Sequence, residues 1–338
     1  MLTGRDVENH DAVVIIIRDE NDRFLCLLHK KFDFWTVPLG KAEQGQSPEE
    51  AAAAEALEEV GIEVVDLVKI YQGTKVYCRE GRRIVTFFHL FEITRFKGVP
   101  SNREPEKHPE MKYMTADDLR NLTRTSDGTI MLLSFLDSVE RKIRMHGVEQ
   151  KLAPNTIIAL SGASGAGKTT FSKKLRDEHG ANLHPESVRD WLMRNGNLQY
   201  RSLSNESFAE LQLHLLDEYE ASKANVFDRS PLDCLHYISR ISHIIDVERF
   251  RRRALSLLEQ YTAIVFFPPY SLYLLEDGIR IADLKHQTEI AARMLVEAYD
   301  ARLQEKILIY DHCRSIDENV CELLWFIASR KKRGDEDD

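Results

Sequence analysis

No apolar run in this chain approaches the roughly 20 residues needed to cross a bilayer, so no membrane span is expected. Residues 1–11 are polar and acidic and carry no apolar core of the kind a secretory leader needs. Cysteine is sparse: Cys26, Cys78, Cys234, Cys313 and Cys321 are odd in number and never stand two residues apart. That spacing excludes a disulfide framework or a zinc ribbon and points to reduced thiols in a cytoplasmic protein. The 12 histidines never adopt the HxxxH spacing of zinc hydrolases. Glycine and proline, at 16 and 10, are too few for a collagenous or low-complexity chain. Excess positive charge is also missing. The formal net charge of −9 repels a polyanion, so a nucleic-acid partner is not expected.

What remains is an ordinary globular composition, 43% apolar and 30% charged, spread over 338 residues. That length exceeds one typical core and implies two domains. Up to about residue 136 the chain is β-rich, with runs at 12–17, 24–28, 70–76 and 84–91; the polar stretch 18–23 reads as a hairpin turn between the first two. One strong helix interrupts them. Ser47 as N-cap, Pro48 at the first helical position and Glu50 three residues after the cap form a capping-box signature, and Gly61 is placed to end the helix. A further helix over 129–139 is expected to complete a first domain at 10–140, followed by a linker at 141–154. From residue 155 the rhythm changes to strand, loop and helix in repetition, with strands at 156–160, 225–227, 263–267 and 306–310. This alternation predicts a doubly wound parallel sheet over 155–330. The last helix has its own cap pair in Ser315 and Glu318, and 331–338 is a charged tail.

The most specific signal is Gly162-Ala163-Ser164-Gly165-Ala166-Gly167-Lys168-Thr169-Thr170, between an apolar strand and a helical stretch. Glycines allow backbone N–H groups to turn inward around phosphate oxygens, and the following helix aims its positive end at them. Lys168 supplies a charge to the β- and γ-phosphates of ATP, and the Thr169 hydroxyl reaches Mg²⁺. Asp228 ends another apolar run, where a carboxylate completes the Mg²⁺ shell. The run from Asp228 to Ile238, DRSPLDCLHYI, resembles the DRxPLDxLxY segment of small P-loop kinases, in the family that contains the ribosylnicotinamide-kinase domain and related AAA-type proteins. Glu186 and Arg189 resemble that family's E-x-x-R facing the phosphate acceptor, and Arg280 lies in a stretch similar to its lid. The resemblance implies that Arg189 and Arg280 neutralise the transferred phosphoryl group. It leaves Glu186, Asp228 and Asp233 as alternative bases for the acceptor hydroxyl.

The N-terminal half holds a second constellation. From Gly40 through Gln46 and Ala54 to Gly61-Ile62, the spacing resembles the Nudix box, G-x5-E-x7-R-E-U-x-E-E-x-G-U, where U is bulky and apolar. On the helix capped by Ser47, Glu55, Glu58 and Glu59 stand at i, i+3 and i+4 and share one face. Three carboxylates together call for cations, and Mg²⁺ suits an all-oxygen set. Such ions activate water and screen a diphosphate during hydrolysis, with Glu58 as the catalytic candidate. Further matches are residues 34–38 before the box, and the acidic stretch 104–107 with 114–119 after it. The chain departs from the box at Gln46, where the family has Glu, and at Ala54, where it has an Arg that orients the catalytic glutamate. Leu39 replaces a usual glycine, and Ala56 is small for its apolar slot.

Together these features predict a two-domain α/β enzyme of nucleotide or NAD-related metabolism: a Nudix α/β/α sandwich with a mixed sheet, then a P-loop domain that transfers the γ-phosphoryl of ATP to a small nucleoside-like acceptor. The Nudix half would hydrolyse or bind a nucleoside diphosphate derivative. Two alternatives remain open. One is a regulator that pairs a metabolite-sensing Nudix domain with a P-loop ATPase switch. The other is a polynucleotide 5′-kinase, which the acidic charge disfavours. Phe266, Phe267, Tyr270 and Tyr273 are candidates either for a base pocket or for core packing.

Overall fold

The computed structural model describes residues 7–145, 151–152, 155–163, 165–185, 187–196, 198, 200–270 and 283–334. The N-terminal half runs β1 (Val7–Ile16), β2 (Phe24–His29), β3 (Phe34–Thr36), β4 (Leu39–Lys41), α1 (Pro48–Val60), β5 (Glu63–Arg79), β6 (Arg82–Lys97), β7 (Met111–Met114), α2 (Ala116–Arg120) and α3 (Asp127–Met145). Its main sheet is mixed, in the order β4-β1-β6-β5, with β1 parallel to β6. A smaller antiparallel sheet, β3-β2-β7, lies beside it.

Period-two alternation along β1 explains the layering. Val13 and Ile15 join Ala51, Ala52, Ala56 and Val60 of α1 in one buried cluster, while Val14 and Ile16 join Leu119 of α2 and Leu132 of α3 in another. Side chains pointing alternately up and down thus cover both faces with helices, giving an α/β/α sandwich. The expected capping box of α1 is present: Ser47 accepts from Glu50 N–H, and Glu50 accepts from Ser47 N–H. Gly61 closes the helix in the left-handed region, at φ 68°.

Three expectations need correction. The 18–23 turn pairs only at its tip, where Leu25 N–H donates to Ile17 O at 2.9 Å; β1 and β2 then diverge into different sheets. The runs at 70–76 and 84–91 are the middles of two long strands joined by Glu80-Gly81, both at positive φ as a two-residue hairpin turn requires. Helix α3 runs Asp127–Met145, longer at both ends than the expected 129–139.

The C-terminal half runs β8 (Ile158–Gly162), α4 (Lys168–His179), α5 (Ser187–Arg194), α6 (Asn205–Ala221), β9 (Val226–Asp228), α7 (Pro231–His236), α8 (Ile238–Ile241), α9 (Val247–Glu259), β10 (Ala263–Phe267), α10 (Leu284–Asp300), β11 (Ile307–Ile309) and α11 (Ile316–Gly334). Its sheet is fully parallel, in the order β11-β10-β8-β9. Both faces are again covered, as a doubly wound sheet demands. Ala159, Phe227, Ile264 and Phe266 pack with α6, α7, α9 and α10, while Ile158, Leu160, Val226, Val265 and Phe267 pack with α4 and α11. Each strand is therefore a continuous apolar run rather than an alternating one.

The two halves share buried surface. Val85 and Phe87 of β6 belong to the same apolar cluster as Ala291, Leu295 and Ala298 of α10. Arg83 pairs with Asp300 at 2.7 Å, and Arg141 of α3 pairs with Glu322 of α11 at 2.6 Å. No helix among the described residues is long and apolar enough to cross a membrane.

Candidate phosphate-binding sites

The phosphate loop begins where β8 ends. Gly162 has φ 111°, and a Cβ there would lie 2.3 Å from the carbonyl oxygen of Phe267, so the paired ends of β8 and β10 call for glycine. Ala163 N–H donates to that same oxygen at 2.9 Å, which pins the start of the loop. Gly165 and Gly167 also hold positive φ, at 76° and 95°. Gly167 is the N-cap of α4 and offers no side-chain cap, and a Cβ on it would meet open space. The first amides of α4 are thus left for an outside acceptor, at the positive end of the helix.

Lys168 is buried, and its ammonium donates to the loop carbonyls of Gly162 at 3.0 Å and Ala163 at 2.6 Å. Thr169 and Thr170 are exposed beside it, while Ala166 is packed into the core under the loop. The Thr169 hydroxyl donates to Asp228 Oδ2 at 2.6 Å, although the two residues are 59 positions apart. This joins the loop hydroxyl to the carboxylate ending β9. A hydroxyl and a carboxylate in direct contact at the mouth of an anion cradle form the donor set a Mg²⁺–nucleotide complex requires, so Thr169 and Asp228 fit that ion.

Asp233, a candidate base, takes another role. It is buried, and its Oδ2 accepts from Ser230 N–H at 3.0 Å as the third-residue partner of the capping box that starts α7. Burial raises its pKa, with Arg229 and Lys168 pulling the other way. The carboxylate is thus committed to holding the turn after β9. The Ser230-Pro231-Leu232-Asp233 pattern carried that signal. Arg189 is exposed on α5. Ser164, Glu186, Tyr273 and Arg280 lie outside the described residues.

Arg229, which follows Asp228 directly, stands out in the structure. Its φ of 101° is rare for a non-glycine residue, and its N–H donates to Leu160 O at 3.0 Å. Burial works against its charge, yet Asp233, Tyr237, Tyr200 and Asp228 hold its pKa above the ordinary value. Backbone strain of this kind costs on the order of 1–3 kcal/mol and gathers at functional sites. The aromatic candidates divide. Phe266 and Phe267 fill the two faces of the core, whereas Tyr270 stacks on His312 with centroids 4.5 Å apart.

The N-terminal site is built on α1. Glu59 is 3% exposed, Glu55 is half-buried and Glu58 is exposed. Gly40 of β4 lies hard against the first of the helix's two inner carboxylates: a Cβ there would come 1.8 Å from Glu55 Oε1. Burial, then the charges of Glu59, Glu58 and Glu104, with Lys107 opposing, push Glu55 up to a pKa of about 7. Burial is the chief cause, and the neighbouring carboxylates add to it.

Glu59 is satisfied differently. Burial opposes its charge, but His108, at 3.3 Å, and Lys107, at 2.8 Å, outweigh it and hold the pKa below the usual value. Leu39 N–H adds a bond to Oε2 at 3.3 Å. Lys107 and His108 arrive on the loop between β6 and β7, which docks on the end of α1 through Ser101 N–H to Val60 O at 2.9 Å and Arg103 N–H to Glu59 O at 3.0 Å. Ligand atoms of Glu59, Glu104 and His108 lie within 4.8 Å of one another. Two carboxylates and an imidazole, with Glu55 alongside, fit a divalent cation, the imidazole shifting preference from Mg²⁺ toward Mn²⁺ or Zn²⁺. The expected trio of Glu55, Glu58 and Glu59 is therefore redrawn: Glu59 clusters with Glu104 and His108, and Glu58 stands at the surface.

Residues 8–133 match the family model described as the NUDIX domain, and residues 157–312 match that described as an AAA domain. Among solved structures, the chain is similar to a MutT NUDIX hydrolase from Burkholderia pseudomallei, at 21% identity over 38% of this chain and 98% of that one, with a TM-score of 0.33. A mMutator MutT protein from Bacillus halodurans is 24% identical over 37% of this chain and 80% of its own, with a TM-score of 0.32. An Ap4A hydrolase binary complex from C. elegans is 20% identical over 40% and 98%, with a TM-score of 0.31. The N-terminal half of the chain thus matches the NUDIX domain and the C-terminal half an AAA domain.

Proposed function

We propose that the protein is a two-domain enzyme of nucleotide metabolism whose C-terminal half transfers the γ-phosphoryl group of ATP to a hydroxyl of a small nucleoside-like acceptor. The observation that carries this reading is the contact between Thr169 and Asp228 beside a glycine loop closed by Lys168. In this reading the amides of the loop and of α4 bind the β- and γ-phosphates, and Lys168 leaves its two carbonyls for the phosphate oxygens. Thr169 and Asp228 would hold Mg²⁺, whose charge would neutralise the triphosphate when bound. Glu186 or Asp228 takes the acceptor proton as the new O–P bond forms and the bond to the β-phosphate oxygen breaks, releasing ADP. Arg189, Arg229 and Arg280 lower the charge on the transferring group. The position of Arg229, one residue beyond Asp228 and in the field of four polar side chains, supports its inclusion.

In the N-terminal half, Glu55, Glu59, Glu104 and His108 hold a divalent ion, and the site binds or hydrolyses a nucleoside diphosphate derivative. The match of residues 8–133 to the NUDIX family supports this. A regulator that senses such a metabolite and drives a P-loop ATPase is the second reading. Ala54 and Gln46 favour it, together with Lys107 set between Glu59 and Glu104.

The test is incubation of the purified protein with Mg-ATP and a panel of nucleosides, ribosylnicotinamide, nucleotides and a 5′-hydroxyl oligonucleotide, with mass spectrometry of the products. A monophosphorylated small acceptor is expected. Metabolite-dependent release of inorganic phosphate without a phosphorylated acceptor would replace the kinase with the switch, and a labelled oligonucleotide would make it a polynucleotide kinase.

A further inference from the structure

The N-terminal cluster already contains a cation, and it is part of the chain. Lys107 Nζ lies 2.8 Å from Glu59 Oε1 and 2.9 Å from Glu104 Oε2, bridging two of the three residues whose ligand atoms converge there. Its backbone is fixed on both sides. Lys107 N–H donates to Glu104 O at 3.0 Å, Lys30 N–H donates to Lys107 O at 3.0 Å, and His108 N–H donates to Glu104 O at 2.8 Å. The ammonium is therefore presented by a closed turn rather than by a swinging loop. His108 is almost wholly buried; its Nε2 faces Glu59, and its Nδ1 has no hydrogen-bond partner among the described residues.

A divalent ion bridging the same two carboxylates at roughly 2.0–2.6 Å from each oxygen would need the space and the lone pairs that the ammonium uses. Two cations about 3 Å apart repel strongly where one of the shared carboxylates is buried. From this geometry, and resting on the divalent-ion reading of the N-terminal site given above, we propose that Lys107 is a built-in competitor of the divalent cation: metal enters the Glu59–Glu104–His108 cluster only as Lys107 leaves. The lysine keeps Glu59 neutralised while metal is scarce, and it sets a threshold of metal concentration below which the site is closed. Only 43% of its side chain is exposed, yet that is enough for it to turn outward into water once displaced.

The experiment is calorimetric titration of Mn²⁺ into the full-length, nucleotide-free protein, its Lys107→Met and Lys107→Arg variants, and Glu59→Gln. Removing the competing ammonium leaves two carboxylates in want of a cation, so Lys107→Met should bind Mn²⁺ tighter by on the order of tenfold or more. Lys107→Arg, which restores the charge, should stay within about threefold of the parent. Glu59→Gln identifies the heat that belongs to this cluster by losing it. Equal affinity in parent and Lys107→Met, with the signal still lost in Glu59→Gln, would overturn the competition and leave the metal site standing. No Mn²⁺ binding in either parent or Lys107→Met would remove both. Should Lys107→Met fail to fold, the parent alone decides. Acylation of Lys107 by an amine-reactive reagent, read by peptide mass spectrometry, should rise as Mn²⁺ saturates the protein. Unchanged labelling at saturation would contradict the proposal.

Discussion

The loop at 162–167 and the inner face of α1 both prepare for a charged partner, but they assemble the charge by different means. In the C-terminal half the positive field comes largely from backbone, the amides of a glycine loop and a helix start, with the Lys168 ammonium set against the loop carbonyls. Backbone dipoles cannot be mutated away one at a time, and the Cβ conflict at Gly162 shows how tightly their geometry is fixed. In the N-terminal half the field is negative and made of side chains, Glu55, Glu59 and Glu104; Glu55 is pushed up by burial and its acidic neighbours, while Glu59 is held down by its partners. Lys107 and His108 are those partners. The backbone-built site is sterically closed to a side chain at Gly162, while the side-chain-built site has Gln46 and Ala54 at two positions of its motif and holds a cation of its own in Lys107.

The largest effect that would sharpen this contrast is expected at Asp228. Asp228→Asn keeps the shape but removes the charge that the Thr169 hydroxyl contacts, and phosphoryl transfer should fall by about 10²–10³-fold in steady-state assays. Metal-free ATP binding, which rests on loop amides, should change little. A fall of less than about threefold would show that the contact has no part in the chemistry. Gly162→Ala probes the backbone route itself. It places a methyl 2.3 Å from Phe267 O at a φ of 111°, and should cost on the order of 2–4 kcal/mol of unfolding free energy by chemical denaturation. An unperturbed melting curve would mean the strands can part there without penalty.

The smallest expected effect lies at the seam between the halves. Asp311 is buried and its pKa is pushed up to about 6, burial being the chief cause and Cys313 N–H and Arg314 opposing it. A carboxyl whose folded pKa is raised stabilises the fold fully below its unfolded value and loses that contribution as pH rises through about 6. Asp311→Asn should therefore gain in Tm relative to the parent by on the order of 2–5 °C between pH 4.5 and pH 7.5. A Tm difference that is flat across that range would show that Arg314 compensates the charge completely.

Much of this was legible because the signals were local. The glycine loop at 162–170, the Ser47–Glu50 cap, Gly61 and the strand ending at Asp228 are each set by residues within a short stretch of chain, where propensity and stereochemistry decide the outcome. The features that were missed depend on distance. Lys107 stands 48 residues from Glu59 and meets it only because the 101–103 backbone docks on the end of α1. The long strands β5 and β6 were read short because β5 is largely exposed or half-exposed outside its middle, so apolar pattern marks only part of its length. Val85 and Phe87 looked like ordinary strand residues, yet they complete a core that belongs to the other half. Asp233 was misread through its chemistry: an acidic residue near a phosphate loop suggested a base, although its spacing from Ser230 spelled a cap.

The most direct measurement assays Lys168→Ala and Glu59→Gln side by side for ATP-dependent phosphorylation of a nucleoside acceptor and for hydrolysis of a nucleoside diphosphate derivative. A crossed result is expected. Lys168→Ala loses the transfer and keeps whatever hydrolysis the parent shows, while Glu59→Gln keeps the transfer and loses the hydrolysis. Undiminished transfer by Lys168→Ala would contradict it.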